Sequence, residues 1–238
     1  MTMKTKTIVT ALLLGVAGML LVNLMSISGM YQDETVVVGW YDRFGGNRTT
    51  TLNAVYVWLN LPFSVCFYLF ATLFFAKIKT HVNKWLGGTA FALWCINLLR
   101  VVLDIVPSLY IAANFSGDEM YRPLEDYWET VGMSDYPLLW FLLSEGSMGG
   151  TLYFLQYYGY WICPLSYLGF AVAFALLVKK DKVLGITGAT VMAISFLSYL
   201  LYQLPYVYIA YNLGWIALCA VVLGCLRRSS PDKPFVLS

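Results

Sequence analysis

The sequence predicts an all-α fold: a polytopic membrane helix bundle with six transmembrane helices, both termini cytoplasmic, and an acidic extracytoplasmic loop between helices three and four. Three observations predict it. Of 238 residues, 60% are apolar and only 12% are charged, with a mean hydropathy of +0.69. A soluble domain carries about 25% charged residues, so this chain lacks the side chains to cover a water-exposed surface. Its apolar residues fall in long stretches, and a helix needs about 20 of them to cross a bilayer. Its basic residues gather in one alternating set of connecting segments.

The first span covers about 8–30, after Lys4 and Lys6. Its apolar run exceeds the roughly 7–15 residues of a signal-peptide core and no A-x-A site follows, so it is read as retained. Spans two, three and four cover about 54–76, 86–113 and 151–178. The last apolar stretch, Val183 to Leu226, would measure ~66 Å as one straight helix, twice the thickness of the bilayer core. It must fold back, and Pro205 near its middle marks the turn. Spans five and six therefore cover about 183–203 and 206–226. Residues 1–226 form one six-helix domain and 227–238 a short cytoplasmic tail.

Charge fixes the orientation. Lysine and arginine are enriched in cytoplasmic segments. Lys4, Lys6, Lys77, Lys79, Lys84, Lys179, Lys180, Lys182, Arg227, Arg228 and Lys233 all fall on one predicted side, against Arg43, Arg48 and Arg122 on the other. Tyrosine and tryptophan favour membrane interfaces. On that ground Tyr153, Tyr157, Tyr158, Tyr160 and Trp161, and then Tyr199, Tyr202, Tyr206, Tyr208 and Tyr211, are expected as an outer aromatic belt.

The outer loops carry their own signals. In the first, Val36 to Val38 are strand-like and Gly45-Gly46-Asn47 is turn-like, which predicts a small hairpin. The second, about Asn114 to Gly150, holds seven carboxylates against the single Arg122. It reads as a solvated cap or a cation-concentrating vestibule. Pro137 to Leu143 is too short to span and is expected on or dipping into the membrane surface. Sequons at Asn47 and Asn114 both fall on the predicted outer side.

Polar residues inside spans are the functional suspects. Asn97, Arg100 and Asp104, spaced i, i+3 and i+7, share one face of span three. Arg100 and Asp104 can neutralise each other in an internal clamp, or the three can line a substrate, ion or proton path. Asn60, Pro62 and Gln156 are candidate kink or polar partners, with Pro62 and Pro164 expected to kink spans two and four. Asn23, Ser166, Ser195, Ser198 and Asn212 are expected to hydrogen-bond helix to helix. Gly15, Gly18, Gly185 and Gly188 are read as sites of close helix packing.

Several chemistries are disfavoured. The single histidine, His81, excludes a bis-histidine haem or a multi-histidine metal centre, and no metal or cofactor is expected. A net charge of +2 gives no footprint for nucleic acid, and no glycine-rich nucleotide loop is present. Cys66, Cys95, Cys163, Cys219 and Cys225 all fall in spans without a CxxC and read as packing residues. Asn97-Leu98-Leu99-Arg100 resembles the Asn-x-x-Arg stretch of exosortase-type membrane transpeptidases, with Cys66 at a similar depth. That family's cysteine motif and downstream histidine have no match here, His81 being on the inner side. No catalytic residue is assigned.

Beside a membrane enzyme, which the missing motifs disfavour, two function classes remain. One is a small transporter or channel-like protein of the plasma or cytoplasmic membrane with its path at Asn97, Arg100 and Asp104. The other is a non-catalytic accessory subunit of a larger membrane complex. The expected partners are the lipid bilayer and other membrane subunits or further copies of this chain.

Overall fold

The computed structural model describes residues 4–30, 35–41, 47–79, 84–114, 120–121, 164–201, 204 and 206–228. These residues form six helices: α1 (Thr5–Ile27), α2 (Ala54–Ile78), α3 (Lys84–Asn114), α4 (Pro164–Leu177), α5 (Lys182–Leu200) and α6 (Val207–Arg228). Thr5–Ile27, Val55–Ile78, Lys182–Leu200 and Val207–Arg227 are long and apolar enough to cross a membrane; α4 is a shorter apolar helix. Beside the helices lies a small sheet of β1 (Thr35–Tyr41), β2 (Asn47–Asn53) and β3 (Met120–Tyr121).

Helix ends follow local chemistry. Helix α1 stops in a Schellman arrangement: Gly29 takes φ 79°, its N–H donates to Ser26 O, and the Met30 N–H reaches Met25 O. Glycine tolerates this left-handed backbone because it has no Cβ. Helix α5 starts at Asp181, whose carboxylate accepts the Leu184 N–H at 3.0 Å. The turn from α5 to α6 is short, with Leu204 N–H donating to Leu201 O and Val207 N–H to Leu204 O. It flanks Pro205 as the sequence predicts. Helix α2 runs through Pro62, which is exposed, and the described part of α4 begins at Pro164.

The principal packing contacts join α1–α2, α2–α3, α3–α4, α4–α5, α5–α6 and α6–α1. The helices therefore form a closed ring in chain order. Two neighbours approach closely through glycine. A Cβ on Gly15 would lie 2.8 Å from the Phe67 nitrogen, and one on Gly18 would enter the Phe63 ring. In the α4–α5 pair, Gly185 abuts the Val178 backbone and Gly188 the Phe174 ring. The bundle exterior is apolar: Leu14, Leu21, Val65, Leu69, Val172, Leu176, Ile186, Leu197 and Leu213 are all exposed. Such a surface suits lipid contact rather than water, and it is the mark of a membrane-embedded protein.

The ends of the bundle differ. Lys77 Nζ donates to Thr5 Oγ1 at 3.0 Å, Lys79 Nζ sits over the Phe91 ring at 4.0 Å, and Cys225 Sγ lies 4.0 Å from Asp181 Oδ2. These contacts gather the start of α1, the α2–α3 and α4–α5 connections and the end of α6 at one basic end. The sheet belongs to the segments leaving the opposite ends of α1 and α3. There β1 pairs antiparallel with β2, Val38 opposite Thr50, and parallel with β3, Val38 opposite Met120. The predicted hairpin is therefore present, and a strand from the second loop joins it. Nothing in the sequence signalled that third strand, since a two-residue pairing carries no periodicity of its own.

Candidate functional site

The interior of the ring has two layers. Nearest the basic end it is filled by aromatic side chains. The Phe75 and Phe170 rings stack at 3.9 Å and 10°. Trp94 meets Phe75 edge-on at 4.8 Å, and Trp215 meets Phe67 at 5.2 Å. All five side chains are fully buried. The one polar handle on Trp94 is satisfied, its Nε1 donating to Thr72 Oγ1 at 2.8 Å. Aromatic pairs at such offset and edge geometries add to the burial of their area, so this layer is a dense plug.

Towards the opposite end, ~20–33 Å along the helices by their rise per residue, five of the six carry polar side chains. Asn23 stands on α1; Tyr56 and Asn60 on α2; Asn97 on α3; Ser195, Ser198 and Tyr199 on α5; and Tyr211 and Asn212 on α6. On α4, Tyr167 belongs to the same layer, because its hydroxyl lies 3.1 Å from that of Tyr211. Tyr199 donates to Asn97 Oδ1 across a long 3.4 Å, and the Tyr167 and Tyr199 rings are 5.8 Å apart. Tyr56 donates to Asn23 Oδ1 at 2.9 Å.

Of the residues singled out on span three, Asn97 is fully buried and continues the stripe Ala90, Trp94, Asn97, Val101, all of them buried. Helical spacing extends that stripe through position 104, with position 100 at its edge. The side chains of Arg100 and Asp104 lie outside the described residues, as does Gln156. Asn60 is half-buried and its Oδ1 has no hydrogen-bond partner. Pro62 is on the exposed side of α2 and is no part of this layer.

Three expectations need correction. Ser195 and Ser198 donate within their own helix, to Val191 O at 2.8 Å and Ser195 O at 2.7 Å, so these bonds do not join helices. A serine hydroxyl in a helix reaches the carbonyl three or four residues back before it reaches a neighbour. Tyr211 and Tyr199 are not belt residues. Tyr211 is buried, Tyr199 is half-buried, and only Tyr206 and Tyr208 of the described set stand exposed. The signal was available: Tyr211, Trp215, Leu218 and Val222 repeat at helical spacing and mark one buried face. Cys66 faces α1, its thiol donating to Ala11 O at 3.2 Å.

Asn212 was expected to bridge helices. It is 1% exposed, and neither its Nδ2 nor its Oδ1 has a hydrogen-bond partner. A buried polar group left unsatisfied costs about 1–3 kcal/mol. No known protein family, curated protein or solved structure matches the chain.

Proposed function

We propose that the chain is a six-span integral membrane protein with both termini cytoplasmic, acting as a small transporter or channel-like protein. Its path descends from the outer side into the polar layer and is closed below by the aromatic plug. The single observation that carries this reading is that layering: polar side chains from every helix gather towards one end, above a core sealed by stacked and edge-on rings. Asn97, Arg100 and Asp104 take the α3 side of the path. The orientation rests on the basic end facing the cytoplasm. On that basis the connection that carries the acidic second loop is on the outer side, and its seven carboxylates favour cations over anions there.

The test is chemical access. Single cysteines at positions 97, 101, 104 and 75, in a background lacking the native five, are exposed from each side to a small membrane-impermeant thiol reagent. Labelling at 97 and 104 from the outer side, with 75 silent from both, is the expected result. Silence at 97 and 104 from both sides would remove the path.

The accessory-subunit reading draws on one observation, the outward face of α3. There Trp85 is 85% exposed, a Cβ on Gly88 would touch nothing within 4 Å, and Ala92 and Cys95 are also exposed. Small residues let a second helix approach closely. Co-purification of a stoichiometric partner that crosslinks to Cys95 would favour that role over transport.

A further inference from the structure

We infer that the outer halves of α1, α2 and α6 hold a binding site for a small uncharged ligand, seated on Asn212 and Asn60, and that this ligand is water or a neutral amide or polyol. The inference rests on the transport reading and names its substrate class.

Position comes first. On α6, Tyr211, Trp215, Leu218 and Val222 form the central buried face. A Cβ on Gly214 would meet Val191 of α5 at 3.5 Å, so that flank of α6 looks at α5. Asn212 is two residues away, ~200° around the helix, on the flank it shares with buried Cys219. The remaining neighbour on that side is α1. On α2, Asn60 stands in the stripe Tyr56, Asn60, Ser64, Phe67, of which Ser64 and Phe67 are buried. Tyr56 at the top of this stripe reaches Asn23 of α1. Helix α1 thus adjoins both asparagines, which stand at matching depths, ~24 Å for Asn212 and ~27 Å for Asn60 from the basic end.

Hydrogen-bonding capacity sets the ligand class. Asn212 presents an unfilled acceptor and an unfilled donor group, and Asn60 an unfilled acceptor. A complementary ligand brings two donors and one acceptor. The chain carries no Asp, Glu, Lys, Arg or His between Val16 and Ile27, between Ala54 and Val65, or between Val207 and Leu218. An ion seated there would lack a counter-charge in a low-dielectric setting, which costs several kcal/mol. Water, urea-like amides and polyols meet both conditions.

The full chain reconstituted in vesicles tests this by stopped-flow light scattering. Sucrose gradients read water movement, urea and glycerol gradients read neutral solutes, and choline and acetate salts serve as charged probes. Asn212→Leu keeps the volume and removes the amide. Loss of one such hydrogen bond slows transfer by about tenfold. The expected result is neutral flux above that of empty vesicles, cut about tenfold by Asn212→Leu and Asn60→Leu, with the melting temperature of Asn212→Leu unchanged or raised. Flux confined to water identifies water as the ligand; flux of urea or glycerol identifies the solute class. Choline or acetate moving while neutral probes do not, or neutral flux indifferent to Asn212→Leu, overturns the inference and leaves transport standing. No movement of any probe removes the transport reading itself, and this site with it.

Discussion

The basic half of the bundle and its opposite half are built from the same helices but obey different rules. Near the basic end the rings pack densely, and Trp215 Nε1 is the one polar atom among them without a hydrogen-bond partner. Phe75, Phe170, Trp94 and Trp215 interlock, Trp94 has its acceptor, Asp181 caps α5, and Gly185 and Gly188 let α5 press on α4. In the opposite half the packing is looser in chemistry. Two tyrosine hydroxyls share one contact, the Tyr199–Asn97 bond is long, and Asn212 has no partner. One half is optimised for a single arrangement, and the other holds polar capacity in reserve. Protein sites that bind are drawn from regions of the second kind, because stability and binding make opposed demands on the same groups.

That contrast can be broken by mutation, and unfolding in mixed micelles of denaturing and mild detergent measures each case. The largest effect is expected at Phe75→Ala, which opens a cavity under the stacked pair and should destabilise the protein by about 3–5 kcal/mol. A value near zero would mean that the plug is not the rigid half. Gly185→Val forces a side chain against the Val178 backbone and should cost about 1–3 kcal/mol. Gly88→Ala is its control: with open space around it and a helical backbone, it should stabilise by up to about 1 kcal/mol. Asp181→Ala removes the α5 cap and should cost about 1 kcal/mol. In the other half, Tyr211→Phe removes one interhelical hydroxyl contact and should cost only about 0.6 kcal/mol. A cost at Tyr211 equal to that at Phe75 would erase the distinction between the halves.

Much of this was legible beforehand. The fold-back at Pro205, the hairpin around Val36 to Val38 and the gathering of lysines at one end are each carried by a strong local signal, namely a length limit, a turn composition and a charge rule. The glycines at 15, 18, 185 and 188 were legible as packing sites because only their size matters there. The candidate site was legible only in part. Asn97 was found because a polar side chain in an apolar run is conspicuous. Asn212 was equally conspicuous but reads from sequence as a helix-to-helix bridge, since its lack of a partner depends on what α1 and α5 present to it. Tyr199 and Tyr211 were misplaced for a related reason. Proximity to a helix end suggested the interface, whereas helical register turned both rings inward.

By itself the sequence determined that this chain is helical and apolar in membrane-spanning lengths, and where its helices turn and gather positive charge. Those properties follow from composition, length and period, which act within a single segment. Only the tertiary structure decided that the helices close into a ring, that the two loops share one sheet, and that an aromatic plug lies beneath a layer of polar side chains. These depend on which faces of separate segments meet. A buried amide is satisfied or left open according to its neighbours, and no single segment carries that information.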